Sequence, residues 1–431
     1  MASKLHLETA LLPDGWRHNV VVTVEHGLIT AIDVGSTGPA ERVSGVTVPG
    51  LPNIHSHAFQ RAMAGLTEKR GTEADSFWTW RTQMYRFVER LTPDDLEAIA
   101  GLAYMEMLEA GFTSVAEFHY LHHQPDGRPY DNIAEMSERL VAAADTVGIG
   151  LCLLPVFYRQ GGFLGKAPSE GQRRFLNTRD SYARLMETKV PGGEIGIAPH
   201  SLRAVTLDDL TWAATTFAGK PAHIHISEQR REVDECVAAH NKRPIDLFLD
   251  TIDAGRNWYL IHATHADAGE IARMARAQVV AGLCPITEAN LGDGLFDMPA
   301  FLKQSGRFGV GSDSLVRISV ADELRTLEYG QRLFHRQRNV LGDSSLSTGR
   351  LLFEGALLGN ALAVGQPADF VVLDASHHRD DAVLDSWIFA ADNNAIHSVY
   401  RSGVPIVQQG RHKDRERITA RYDAVLRKLL A

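Results

Sequence analysis

The stretch LPNIHSHAFQR, residues 51–61, sets two histidines one residue apart at the end of a short apolar run that opens with VTVPG at residues 46–50. In an extended strand, residues i and i+2 turn to the same side, so His55 and His57 can approach one ion together. Two histidines establish little alone. The reading needs partners, and the rest of the chain supplies them in a regular rhythm.

Downstream, TPDDLEAIAGLAYMEMLEAG (92–111) has Thr92 as an N-cap, Pro93 at the first helical position, acidic residues in the first turn and Gly111 at its end, which predicts a helix. FTSVAEFHY (112–120) then reads as a strand, followed by IGLCLLPVF, EIGIAPHS, PAHIHISE, WYLIHAT, VVAGLCPIT and RFGVGSD, each short, apolar and polar at its end. Strands a helix-length or more apart over about 300 residues predict an α/β fold, a (β/α)8 TIM barrel with its chemistry at the C-terminal strand ends. Residues 49–362 are expected to form this catalytic barrel. NVVVTVEHGLITAIDVG (19–35) predicts a hairpin turning at His26-Gly27, and strand patterning returns in GQPADFVVLD (365–374) and AIHSVYRSGVPIVQQGRH (395–412) before a final helix. Residues 1–48 and 363–431 are therefore expected to join as a small β-sandwich domain. The Gly-rich, basic segment 158–180 predicts a long loop over the barrel mouth.

The polar residues at the predicted strand ends form a set. After His55 and His57 come His225 and Glu228 of HIHISE, His262 of LIHATH and Asp313 of GVGSDS. Imidazoles and a carboxylate around one divalent ion suit zinc, and iron(II) or manganese(II) are tolerated by similar sites. A lone histidine in such a strand is more often a core residue; the ordered series across one barrel is what argues for ligands. Three arginines stand beside the strand ends, Arg61, Arg81 and Arg203. Guanidinium forks grip carboxylates, so two near one pocket point to an anionic small molecule.

This arrangement resembles the amidohydrolase superfamily over nearly the whole chain, and within it the deaminases that use one zinc ion. The resemblance implies His55, His57, His225 and Asp313 as ligands, with Glu228 and His262 as catalytic residues beside the metal. No lysine ends a central strand where dinuclear members carry a bridging one. Metal-activated hydroxide would attack a carbon–nitrogen centre, Asp313 would accept its proton, Glu228 would carry a proton to the substrate nitrogen and His262 would orient or polarise the group attacked. PNIHSHAFQRAMAGLTE, SFWTWRTQMY, AEFHYLHH, APHSLRAV, HIHISEQ, CPITEANLGDGLF and GVGSDSLVRIS are together similar to the formimidoylglutamate deiminases of bacterial histidine degradation, which release ammonia from a linear amidine. That similarity implies that Gln60, Arg81, Tyr120, His200 and Arg203 hold the two carboxylates of a dicarboxylate substrate. The alternatives are a deaminase of a heterocycle such as guanine, a pterin or S-adenosylhomocysteine, and a non-enzymatic protein on the same fold.

A net charge of −9 without a long basic run argues against nucleic acid. No apolar segment is long enough to span a bilayer. Neither a signal peptide nor paired cysteines are evident, so a cytoplasmic protein with reduced thiols at Cys152, Cys236 and Cys284 is expected. The family resemblance implies a homodimer. Adjacent pairs His122/His123 and His377/His378 are expected to be solvated loop residues, and the aromatic run Phe77–Trp80 to be packing. His265, Glu288, Asn290 and Ser314 are placed near the mouth without a defined role.

Overall fold

The computed structural model describes residues 2–36, 38–69, 77–374 and 378–431, apart from the side chain of Phe77; His377 lies outside them. Four N-terminal strands come first: β1 (Ser3–Leu12), β2 (Gly15–Glu25), β3 (Leu28–Val34) and β4 (Glu41–Pro49). The central strands are β5 (Leu51–Ser56), β6 (Phe112–His119), β7 (Gly150–Phe157), β8 (Glu194–Ile195), β9 (Ala198–Pro199), β10 (Ala222–Ile226), β11 (Trp258–His262), β12 (Val280–Leu283) and β13 (Arg307–Val310). Four more close the chain: β14 (Phe370–Leu373), β15 (Ile396–Arg401), β16 (Val404–Gln408) and β17 (Arg411–His412).

The chain is an α/β protein whose central strands are all parallel. β5 to β8 form one sheet, with β9 also on β7, and β10 to β13 form another. Parallel neighbours require long crossovers, which the intervening helices supply. The edges of the two sheets touch. His57 N donates to Asp313 O at 3.1 Å and Asp313 N to His55 O at 3.0 Å, while His223 N and His225 N donate to Ile197 O and His200 O at 2.9 and 3.0 Å. These contacts carry the strand ends of the sequence-predicted ligands to one place.

Inside the strands, Ile54, Ile261 and Cys284 form a small apolar cluster beneath those ends. Gly282 and Gly309 make room for it: a Cβ on Gly282 would lie 2.5 Å from Ile261 Cδ1, and one on Gly309 3.1 Å from Ile54 Cγ2. Outside, helix Pro93–Glu109 starts at the expected cap, with Thr92 and Asp95 forming a reciprocal capping box. It is buried nearly all round because the final helix, Arg415–Leu430, lies over it, with Lys428 Nζ 2.7 Å from Asp95.

N- and C-terminal strands interleave in one eight-stranded mixed sheet, ordered β17-β16-β15-β14-β4-β1-β2-β3. The predicted hairpin is β2–β3, but β1, paired along its length with β2, was not anticipated. EIGIAPHS, read as one strand, splits into β8 and β9 about Gly196, where a side chain would strike Pro221 O at 2.5 Å. The predicted loop 158–180 is mostly irregular yet holds 3-10 turns at Phe163–Gly165 and Glu170–Phe175, and a helix starts at Arg179. No described helix is long and apolar enough to cross a membrane.

The seam between β5 and the end of β13 is tight, since a Cβ on Gly311 would stand 2.7 Å from both His55 N and His55 O. Gly311→Ala is expected to cost about 1–3 kcal/mol through overpacking. Thermal unfolding by circular dichroism checks this; an unshifted Tm would contradict the tight seam.

Candidate metal centre and anion pocket

The strand ends converge on one cavity. At its floor His55, His57, His225 and Asp313 bring one potential ligand atom each to within 4.8 Å of one another, and all four are buried. His55 Nε2 and His225 Nε2 are 3.0 Å apart. Asp313 Oδ1 lies 3.4 Å from His55 Nε2 and 3.2 Å from His57 Nε2. The other ring nitrogens fix the orientation: His57 Nδ1 donates to Phe118 O at 2.9 Å and His225 Nδ1 to His200 O at 3.1 Å, which leaves both Nε2 lone pairs facing inward. Burial pushes His55 down to about 3 and His225 well below the ordinary histidine range, so both are neutral donors. Burial works to raise the Asp313 carboxyl, but the adjacent His55 and His57 rings, whose Nε2 atoms lie 3.4 and 3.2 Å from it, hold it well below the usual range. Neutral imidazoles and an ionised carboxylate are the protonation states that a metal requires.

His262, Cys284 and Asp313 form an overlapping group. Cys284 belongs to the inner apolar cluster, and burial pushes its thiol far up, so it stays protonated. The four-residue set is the better metal site.

Glu228 and His262 flank that set. Burial raises the Glu228 carboxyl, with His262 and Arg203 opposing. Burial would lower His262, yet Glu228, a hydrogen bond to Glu288 and Asp313 together hold it at about 10. Its Nδ1 is 3.2 Å from Glu288 Oε1, which also accepts the Cys284 amide at 2.8 Å. Glu288, undefined from sequence, thus fixes the His262 ring. Ser314 pairs with Thr287 Oγ1 at 2.9 Å and caps nothing, since Ser319 caps the next helix.

The walls carry the arginines. Arg81, on helix Phe77–Val88, donates to Tyr85 Oη at 2.5 Å and Tyr158 Oη at 3.2 Å, and has no carboxylate partner among the described residues. Burial raises the Tyr85 phenol, so this partner is neutral. Arg203 is 3.9 Å from Glu228 Oε2 and 3.7 Å from Glu232 Oε1, and its Nε makes no hydrogen bond. Gln60, Tyr120 and His200 line the same cavity, Gln60 Nε2 donating to Tyr120 Oη at 3.1 Å. All sequence-named site residues therefore gather here, His55 lying beneath the cavity surface.

Arg61, the third arginine beside the strand ends, turns away into an ion pair with Glu106 at 2.6 Å, which leaves Arg81 and Arg203 as the two near one pocket. One expectation fails. His122 and His123 are buried rather than solvated, because their Nε2 atoms bond Val156 O at 3.0 Å and Leu176 O at 2.7 Å. Sequence reading also missed Tyr85, Tyr158 and Phe175, three aromatic wall residues. The Arg-x-x-x-Tyr spacing of Arg81 and Tyr85 on one helix face was the available signal.

A backbone feature marks the same region. Ser227, His262, Ala263 and Asp313 adopt positive φ of 51°, 70°, 50° and 39°. Non-glycine residues in that region are uncommon and gather at functional sites.

Comparison with known proteins agrees. The chain is 47% identical to formimidoylglutamate deiminase of Pseudomonas aeruginosa, over 99% of this chain and all of the relative. A crystal structure of an amidohydrolase from Brucella melitensis, 49% identical, superposes over the whole of both chains with a TM-score of 0.96. A zinc-bound adenosine deaminase from Xanthomonas campestris, 20% identical, shares the fold over 99% of this chain and 98% of its own, with a TM-score of 0.80. Residues 46–352 match the amidohydrolase family, and the chain belongs to that family.

Proposed function

We propose that this protein is a formimidoylglutamate deiminase, hydrolysing N-formimino-L-glutamate to N-formyl-L-glutamate and ammonia. One observation carries the substrate class: Arg81, a half-buried guanidinium whose hydrogen-bond partners among the described residues are two phenols, opens onto the same cavity as the His/Asp cluster. A partly desolvated cation so placed favours an anionic ligand. The close Pseudomonas relative supports the same reaction.

His55, His57, His225 and Asp313 would hold one divalent ion, zinc on the nitrogen and oxygen donor set and on the zinc of the Xanthomonas neighbour, with iron(II) or manganese(II) as substitutes. Such an ion lowers the pKa of a coordinated water from 15.7 toward about 7. Arg81 and Arg203, with Gln60, Tyr120 and His200, bind the two substrate carboxylates and set the amidine carbon over the floor. Asp313 accepts the proton of the attacking water. Glu228 delivers a proton to the departing imino nitrogen, that carbon–nitrogen bond breaks, and ammonia leaves an N-formyl amide. His262, steadied by Glu288, orients the group under attack.

The same reading extends to architecture and setting. The two central sheets, joined along both edges, are taken as one closed (β/α)8 barrel of residues 49–362. Residues 1–48 and 363–431 are taken as one β domain, and its own apolar core of Leu5, Leu7, Val20, Val22, Phe370 and Val372 supports a sheet folded over itself as a sandwich. We infer a cytoplasmic homodimer acting in histidine degradation, with no membrane partner, from the likeness to the deiminases, and the net charge of −9 speaks against nucleic acid as a partner.

Ammonia release from N-formimino-L-glutamate, with guanine assayed alongside and metal quantified in the same sample, tests the proposal; turnover of guanine alone would overturn it. His225→Ala is expected to lose both stoichiometric metal and turnover. Glu228→Gln should retain metal and lose about 10²–10⁴-fold in kcat, the range for a positioned proton-transfer group. Arg81→Met should keep its metal and raise KM at least about 30-fold, as loss of a buried charge pair costs about 2–5 kcal/mol; steady-state kinetics distinguish the two.

A further inference from the structure

Beyond the reaction cavity lies a second one, bounded by helix Phe77–Val88, helix Arg230–His240 and the segment around Gly161–Ala167. Arg81, Arg203 and Tyr85 line both cavities, so the carboxylate-binding arginines form their common wall.

The outer cavity is cationic. Arg231 and Lys166 line it, and Glu235, bonded to Arg231 at 2.7 Å, is its one acidic wall residue among those described. Three guanidiniums surround the indole of Trp78: Arg231 at 4.5 Å from the ring centroid, Arg81 at 5.7 Å and Arg203 at 6.0 Å. Their exposure falls inward, from 58% for the Arg231 side chain to 8% for Arg203. The electron-rich ring face offsets part of the repulsion among three like charges. A carboxylate travelling along this ring meets a guanidinium at every stage.

We propose that this outer cavity is a docking site for the carboxylate tail of small dicarboxylates, from which the substrate passes to Arg81 and Arg203. It rests on the proposed substrate. On a chain of net charge −9, a local cationic cleft offsets the long-range repulsion of a ligand's two carboxylates. Clefts lined by one sign of charge concentrate oppositely charged ligands and raise association rates by about 10–10³-fold. Lys166 and Arg231 act on capture, and the inner residues on chemistry.

The test is the ionic-strength dependence of kcat/KM for N-formimino-L-glutamate. It compares the unaltered protein, Lys166→Glu/Arg231→Glu, and Arg256→Glu/Lys303→Glu at a separate surface cavity, which makes the same change in net charge. In the unaltered protein kcat/KM should fall as salt rises. The Lys166/Arg231 variant should lose at least about tenfold at low salt, with its salt dependence flattened, while the Arg256/Lys303 variant keeps the original slope. Lys166→Gln, on an exposed segment, should shift the same way by less and covers poor folding of the double variant. Equal slopes in all variants, or equal losses in both doubles, would overturn the docking site. Absence of ammonia release by the unaltered protein would instead overturn the proposed reaction.

Discussion

Two imidazole nitrogens facing each other at 3.0 Å, with a carboxylate oxygen 3.4 Å from one of them, set the terms for this fold. Each imidazole is deeply buried, and burial keeps His55 and His225 neutral. Lone pairs converging in a low-dielectric interior repel unless a proton or cation lies between them. The arrangement requires that the backbone bring four residues from three strands to one point and hold them there. The hydrogen bonds between β5 and Asp313, and between β10 and the His200 segment, do this directly. The site is thus built from strand adjacency, and the side chains need only point along directions already fixed.

Holding it has a local cost. Residues in left-handed backbone conformations without glycine's freedom cost about 1–3 kcal/mol each. Four of them, Ser227, His262, Ala263 and Asp313, stand where β10, β11 and β13 deliver their functional residues. The chain leaves each strand abruptly and turns its side chain over the cavity. Glycine would remove the strain at Asp313 or His262 but also remove the ligand or the ring. The large continuous core below and around the strands supplies the stability that tolerates this.

What the sequence disclosed follows the same logic. Alternating or continuous apolar runs ending in polar residues made the central strands readable, and His-x-His was readable because period two makes its geometry local. Thr92, Pro93 and Asp95 announced a helix start through chemistry confined to one turn. What the sequence left unread are the non-local cases. Arg61 and Arg81 look alike in sequence, yet one meets Glu106 and the other meets two phenols, because the contact is decided by helix docking. His122 and His123 are buried because a neighbouring strand and loop offer them carbonyls that no local pattern reveals. The positive φ values carry little signal in residue type: Asp313 and His262 are types that enter the left-handed region more readily, but Ser227 and Ala263 are not.

The charges of the cavity form a pattern that narrows what can occupy it. At the floor, acids predominate: Asp313, Glu228 and Glu288 surround His262. On the wall stand Arg81, which among the described residues has hydroxyl partners only, and Arg203, with carboxylates at 3.9 and 3.7 Å. A molecule with a cationic amidine at one end and carboxylates at the other satisfies both poles at once. On the proposed reading, a neutral heterocycle could reach the floor but would leave the half-buried Arg81 guanidinium with no charged partner among the described residues. Discrimination would then come from the charge that the ligand itself brings to the wall.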